Sequence, residues 1–207
     1  MKSTMRFFAA VCGAALLVAC SDSVSPGDQL TPAETDFLAN ELAATSLDGL
    51  SEGMGVMPGP QGAPAHEGTP PEGVISWHRS YEVTRECPVS GTKTVGGTVD
   101  GEFDRATRTG TLTVTHFLNM VECARQRGEL TITLTTSPPI TMEGTVNFAQ
   151  GERRTGEFTK TGTFFWEVSD GRSGTCEVNL TITWDADGQH HTTGTMCRRE
   201  INQLTSS

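Results

Sequence analysis

The chain has 207 residues, with 25 acidic against 15 basic residues and a net charge of −10. Aromatic residues make up 6% of the chain, and no basic stripe runs through it. This composition argues against nucleic-acid binding, which needs clustered cations and aromatic rings that stack on bases. The length is sufficient for one domain with a buried core and an additional tail.

The N-terminal residues 1–19 have the pattern of an export signal. Lys2 and Arg6 give a basic start, and an apolar run over 7–18 follows. That run is shorter than the about 20 residues that cross a bilayer. The segment closes on Leu17-Val-Ala-Cys20, which resembles the lipobox of bacterial lipoproteins.

This resemblance implies a signal peptide cut before Cys20 and a membrane anchor of acyl chains, such as palmitate, on that cysteine. Several acyl chains on one residue hold a protein on a bilayer without a membrane-spanning helix. Ser21, in place of aspartate, follows the cysteine, and in the sorting rule of such lipoproteins this implies the outer membrane. The expected location is therefore the cell envelope, on an outer membrane and facing the periplasm or the surface. A soluble secreted protein is the alternative.

Residues 20–73 are predicted to form an acidic tether. They contain nine Asp or Glu and no Lys or Arg, so an anionic lipid surface should repel them. The stretches 21–30 and 46–73 are rich in Ser, Gly and Pro, a composition that buries too little apolar surface to fold. A flexible tether of this length spans about 40 Å.

One short helix is predicted within the tether, near 32–44. Thr31, Pro32 and Glu34 form a capping box with proline at the first helical position. Phe37, Leu38 and Leu42 follow on one face. The helix could dock on its own domain or fray, or it could bind a partner; its lack of cations argues against membrane docking.

Residues 74–207 are predicted to form an all-β domain, because apolar residues alternate with polar ones, mostly threonine. Counting the runs between turn signals gives about eight strands: 75–86, 89–103, 107–122, 128–136, 139–149, 153–168, 174–184 and 189–199. The short connections favour an antiparallel meander. Eight such strands can close into an up-and-down β-barrel, and a β-sandwich is the second choice.

Four cysteines remain in this domain for disulfide bonds, which an exported protein can keep. The predicted turn at 104–106 would place Cys87 opposite Cys123, and the predicted turn at 185–188 would place Cys176 opposite Cys197. Facing Cα atoms lie about 4.5–5.5 Å apart, within disulfide reach. The predicted pairs are therefore 87–123 and 176–197. A metal site is not predicted, because no two of these cysteines lie close in sequence.

Two inward-facing histidines are the main candidates for chemistry. By the same register His191 would lie opposite Ile182 on the apolar face. His116 has the same alternation as Leu112 and Val114 and would share their apolar face. Together with Trp184 the two histidines could line a ligand cavity, although hydrogen-bonded core histidines are commoner. Asp185 and Asp187 resemble a fragment of a calcium loop, but the later ligands are absent and turn chemistry explains them.

No catalytic motif is present. Ser173 has the wrong spacing for a nucleophile elbow, no phosphate loop occurs, and no cofactor is predicted. The sequence therefore predicts a lipid-anchored β-domain that binds a small apolar ligand or has a structural role. The barrel resembles lipocalins, although Gly73 lies four positions before Trp77 and departs from their Gly-x-Trp signature. The alternatives are a module that binds an envelope protein and, third, a hydrolytic enzyme.

Overall fold

A computed structural model describes residues 29–54, 73–149, 152–187 and 189–206, and within these ranges the chain forms one helix and nine strands. Residues 1–28, which include the signal segment and Cys20, and residues 55–72 of the tether lie outside the described residues. The elements are α1 Pro32–Met54, β1 Val74–Glu86, β2 Ser90–Asp104, β3 Thr109–Arg127, β4 Leu130–Thr136, β5 Ile140–Ala149, β6 Glu152–Val168, β7 Ser173–Trp184, β8 Gln189–Met196 and β9 Arg199–Ser206. The eight predicted strands are all present, and β9 is an additional one.

The nine strands pair antiparallel in one sheet with the order β1-β2-β3-β4-β6-β7-β8-β9, and β5 pairs with β3 and β6. The long strand β3 pairs with β4 over one half and with β5 over the other. Between β4 and β5 lie Pro138 and Pro139, which have no N–H to donate to a ladder. The predicted meander is confirmed, as one sheet and not as two. No ladder joins β1 to β9 among the described residues, so closure of the barrel stays a prediction.

The sheet has a buried inner face and an outer face rich in threonine. In β7 the buried residues alternate with exposed or half-buried ones from Cys176 to Trp184, as a strand covered on one side requires. The turns β1–β2, β3–β4, β6–β7 and β8–β9 lie at one end of the sheet, here called the disulfide end. The opposite end contains Trp77 and Trp184 and is called the tryptophan end. Each end has its own apolar cluster.

Helix α1 docks on the inner face and contacts β1, β2, β3, β8 and β9. Because these strands lie at both sides of the sheet, the sheet must curve around the helix. Leu38, Ala39 and Leu42 are buried in the cluster of the disulfide end. Of the alternatives for the helix, docking on its own domain is the one observed.

The predicted capping box is confirmed, but the helix is longer than predicted. The backbone N–H of Thr31 donates to Glu34 Oε2 at 2.7 Å, and the N–H of Glu34 donates to Thr31 Oγ1 at 3.3 Å. The helix continues to Met54, through a stretch that composition assigned to the tether. Docking of the first turns provides a helical nucleus, and elongation from a nucleus costs much less than starting one.

Both predicted disulfides are present, with Cα–Cα distances of 5.4 Å for Cys87–Cys123 and 4.4 Å for Cys176–Cys197. The register from which they were predicted is wrong. Asp104 pairs with Thr109, so the first turn starts one residue later and is one residue longer. Cys87 lies in the β1–β2 turn, where its backbone N–H donates to Gly91 O at 2.9 Å. Because the chain reverses there, its sulfur reaches Cys123 although the register differs from the predicted one.

The second disulfide lies beside a turn, where the residues of two paired strands no longer lie directly opposite each other. Trp184 pairs with His190 and not with Gln189, because the loop after β7 is one residue longer than predicted. Cys197 follows the last residue of β8 and has a positive φ of 50°. Its backbone N–H donates to Glu177 O at 3.0 Å. That turn conformation places its sulfur on Cys176.

Candidate functional site

A row of polar side chains crosses the inner face between the two apolar clusters. Tyr81 pairs with Gly97, which pairs with His116 on β3. His116 pairs with Met142, which pairs with Lys160 on β6. His116 is 1% exposed and Lys160 is 0% exposed. The strand register therefore places three polar side chains in one otherwise apolar interior.

Tyr81 and His116 are hydrogen-bonded, with 2.8 Å between Tyr81 Oη and His116 Nδ1. Burial and, to a smaller extent, the nearby Lys160 lower the pKa of His116 to about 3. Burial raises the pKa of Tyr81 to about 12. Both side chains are therefore neutral at pH 7. In the tautomer in which Tyr81 donates to Nδ1, the ring proton of His116 lies on Nε2.

Lys160 connects the row to the helix, since its Nζ donates to Leu42 O of α1 at 2.7 Å. Burial lowers the pKa of Lys160 to about 7, with a smaller contribution from Lys93. A lysine with a lowered pKa can act as a nucleophile. Here Nζ lies against a main-chain carbonyl of the same protein. The contact holds α1 on the sheet, which is a structural role.

Four buried side-chain atoms have no hydrogen-bond partner among the described residues: Trp77 Nε1, His116 Nε2, His190 Nδ1 and Gln203 Oε1. All four belong to residues that point to the inner face, in three successive rows at or next to the tryptophan end. One row contains Trp77, Gly101, Leu112, Val146, Gly156, Trp184 and His190. A buried polar group without a partner costs about 1–3 kcal/mol, and such groups are few in native proteins. Their concentration at one end indicates a place for a polar partner.

The walls around these atoms are apolar and aromatic. Trp184 stacks on Phe158 with 5.0 Å between ring centroids. The buried cluster of this end consists of Val99, Leu112, Val114, Met142, Val146, Phe148, Phe158, Ile182 and Trp184. Apolar and aromatic side chains with a few polar atoms among them are the usual lining of a small-molecule site.

The structure places two of the three predicted ligand-binding residues on the inner face. His116 and Trp184 are buried there, as predicted. The prediction for His191 is wrong: it pairs with Thr183 on the exposed face, and its Nε2 lies 2.7 Å from Asn202 Oδ1. His190 takes the inward position, because a one-residue change of register exchanges the two faces of a strand.

Charge is sorted between the two faces, which the linear sequence did not reveal. The basic strand residues with described side chains all point inward: Arg79, Arg85, Lys93, Arg125, Arg127, Lys160 and Arg199. The acidic strand residues with described side chains point outward: Glu82, Glu86, Asp100, Glu102, Asp104, Glu143, Glu157, Glu167, Glu177 and Glu200. The exception is Glu122, which is exposed in a bulge of β3. A chain with a net negative charge therefore has a basic concave face. Because successive strand residues point to opposite faces, assigning each charged residue to a face from the register would have revealed this basic face.

The acidic helix α1 covers this basic face at the disulfide end. Both Glu34 oxygens accept hydrogen bonds from Arg172, at 2.7 and 3.0 Å. These hydrogen bonds lower the pKa of Glu34 to about 2. Glu41 forms an ion pair with Arg125. The pocket that remains beneath the helix is about 10 Å³, about the size of one water molecule.

The structure also answers the prediction for the two aspartates after β7 and shows how the aromatic run of β6 divides between the faces. The Asp185 carboxylate accepts the backbone N–H groups of Asp187 and Gln189, each at 3.0 Å, which is the predicted turn chemistry. In the run of three aromatic residues at 164–166, Phe165 is 43% exposed while its neighbours are buried. Consecutive strand residues point to opposite faces, so the Phe165 ring lies on the outer face.

In the described part of the chain, no cluster of three or more His, Cys, Asp or Glu side chains is arranged to hold a metal ion. None of the described helices is both long and apolar enough to cross a membrane. Comparisons of the chain with protein-family models, with curated proteins and with solved structures return no match.

Proposed function

We propose that this chain is a lipid-anchored protein of the cell envelope that binds a small, largely apolar ligand on the inner face of its β-sheet, at the tryptophan end. The observation that carries the proposal is the group of four buried polar atoms without partners, set in apolar and aromatic walls. A ligand with a few polar atoms would satisfy these groups and remove the free-energy cost of leaving them unpaired.

We base the proposed lipid anchor on the lipobox-like segment that ends at Cys20. Because helix α1 docks on the sheet, the tether between this cysteine and the domain is shorter than the predicted 20–73. The backbone carbonyl of Gln29 accepts a hydrogen bond from Arg172 Nη1 at 3.2 Å, so the chain is attached to the domain from that residue onward. The segment from Cys20 to Gln29 spans at most about 30 Å. A domain anchored in this way stays close to the lipid surface, a suitable position for a protein that exchanges apolar molecules with it.

Binding of an envelope protein is the second candidate function. Val121 and Phe165 are 51% and 43% exposed on the outer face, and large exposed apolar side chains are common at protein interfaces. They do not account for the unpaired polar atoms of the inner face. We propose no catalytic activity.

Native mass spectrometry of the protein purified from its own host tests the proposal. We expect a bound small molecule whose mass disappears on denaturation. His190→Leu should reduce the bound fraction, because it removes an inward polar atom and fills its space. His191→Leu is the matched control, since the same substitution one residue away changes the outer face and should retain the ligand.

A co-purifying protein without a small molecule would favour the second candidate. A mass equal to that of the lipidated chain alone would contradict the proposal, and so would an equal loss of ligand in both leucine variants.

A further inference from the structure

We propose that the ligand is an anionic amphiphile, a molecule with an apolar body and one acid group, whose acid group binds Arg79 on the outermost described strand, β1, at the tryptophan end. This inference rests on the proposed function and names the ligand class for the same site. Three observations support it: the charge of the inner face, the position of Arg79 and the chemistry of α1.

The charge of the inner face selects against cations. None of the strand residues with described side chains places a carboxylate there, whereas seven basic residues point inward. At the disulfide end the arginines are used by the protein itself, Arg125 by Glu41 and Arg127 over the Phe37 ring at 6.0 Å. At the tryptophan end the inward basic group with a described side chain is Arg79, and Lys160 lies in the neighbouring polar row, so the field there favours an anion.

Arg79 lies where the head group of an amphiphile would sit. On β1 it pairs with the fully buried Val99, and its neighbours on the same face are Trp77 and Tyr81. It is exposed and has no ion-pair partner among the described residues. A guanidinium presents paired N–H groups that match a carboxylate. The apolar body of the ligand can then lie against the row of Trp77 and Trp184, while the charged group stays hydrated at the exposed Arg79.

Helix α1 shows that this face accepts such chemistry. It is itself an anionic amphiphile, with Leu38 and Leu42 buried on the sheet and the carboxylates of Glu34 and Glu41 on arginines. At the disulfide end the protein thus supplies its own occupant. The tryptophan end has the same combination of apolar wall and inward cation.

The test uses residues 21–207, which include every described element, and isothermal titration with dodecanoate and dodecanol. These probes share one tail and differ in the acid group. We expect dodecanoate to bind at least about tenfold more tightly than dodecanol. Arg79→Gln should weaken dodecanoate binding by about fivefold or more and leave dodecanol binding nearly unchanged. Arg105→Gln, in the β2–β3 turn, is the matched control for net charge and should bind both probes as the unaltered chain does.

The possible failures are distinguishable. Equal affinities of the unaltered chain for the two probes would overturn the anionic ligand class and leave the proposed function in place. Binding of neither probe would count against both proposals. An equal loss of dodecanoate affinity in both arginine variants would assign the effect to overall charge and overturn the role of Arg79.

Discussion

The two ends of the sheet are built in opposite ways. The disulfide end has both covalent links, the docked helix and paired charges, among them Glu34 with Arg172. The tryptophan end has no disulfide among its described residues, and the unpaired polar atoms lie at or next to it. The disulfide end is thus held by several independent links, whereas the tryptophan end has buried polar groups that the described residues leave without hydrogen bonds. Departures of this kind in natural proteins tend to lie at functional sites.

Glycine lets an indole ring lie directly on a strand at both ends of the sheet. At Gly156 a Cβ atom would lie 2.3 Å from the Trp184 ring, so the indole lies directly on the backbone of β6. Such close approach of a flat ring to a strand gives the tryptophan end a smooth aromatic wall. At the disulfide end Trp166 lies in the same way on Gly174, where a Cβ atom would be 2.9 Å from the ring.

The largest effect is expected for Leu38→Ala, which breaks the packing of α1 at the disulfide end. Leu38 is fully buried, and truncation of a buried leucine costs about 3–5 kcal/mol of unfolding free energy. Asn40→Ala, on the exposed side of the same helix, should change it by less than about 0.5 kcal/mol. Chemical denaturation measures both, and a cost below about 1 kcal/mol for Leu38→Ala would show that the helix does not stabilise the sheet.

The second disulfide gives the next largest effect. Replacing Cys176 and Cys197 together by alanine opens a loop with a sequence separation of 21, and the expected cost is about 3 kcal/mol. Thermal unfolding should move to lower temperature. Probe binding at the tryptophan end should persist in conditions where the variant is still folded, because that end does not contain the link. Loss of binding in the folded variant would show that the two ends are coupled.

Lys160→Met should change stability at pH 7 by no more than about 1–2 kcal/mol, because it removes the cost of burying the amine together with the hydrogen bond to Leu42 O. The folded lysine has a pKa of about 7 against its ordinary 10.5. Between these values the unfolded chain binds more protons, so this group makes stability rise with pH across that window. The methionine variant should lose that slope in denaturation measured from pH 7 to 10. An unchanged slope would mean that Lys160 titrates normally.

Glu34→Gln should cost about 1–2 kcal/mol at pH 7, because it removes the charge that Arg172 binds. The folded pKa of Glu34 is about 2 against 4.5, so its contribution is complete above pH 4.5 and is lost as the pH falls toward 2. In acid unfolding the glutamine variant should approach the unaltered chain near pH 2. A constant difference across that range would argue against an ionised Glu34.

The smallest effect is expected at the tryptophan end. Gln203→Leu removes a buried atom without a partner, so stability should stay the same or rise by up to about 1 kcal/mol. Gln126→Leu, in which the lost Nε2 donates to Gly128 O at 2.8 Å, is the matched control and should lose stability slightly. A clear loss in Gln203→Leu would show that its Oε1 is bonded in solution and would weaken the case for a ligand there.

Most of the strands could be read from the sequence, because alternation over ten or more residues is a strong local signal. The histidine pair shows where that reading fails: both residues lie on the predicted strand, yet one extra residue in the loop after Trp184 decided which of them faces inward. Loop length is a local detail with a global consequence, since it fixes the register of every following residue.

The disulfide prediction was right for a partly wrong reason, and this too is instructive. Bulges and turn residues shifted the registers, yet the same cysteines met, because both pairs lie at the end of the sheet where the chain reverses. Neighbouring strands in a meander bring only a few cysteines within reach. The pairing therefore tolerates an error of register that the histidine assignment does not.

By itself, the sequence determined the period-two strands and the helix start at Thr31, since each follows from near neighbours along the chain. It also determined the antiparallel order and the cysteine pairs, because short connections place successive strands side by side. Only the tertiary structure decided that the acidic helix belongs to the core and that basic side chains gather on the inner face. It also decided that unpaired polar atoms converge at one end. These features depend on register and on the curvature of the sheet around α1, which bring together residues that the linear chain keeps far apart.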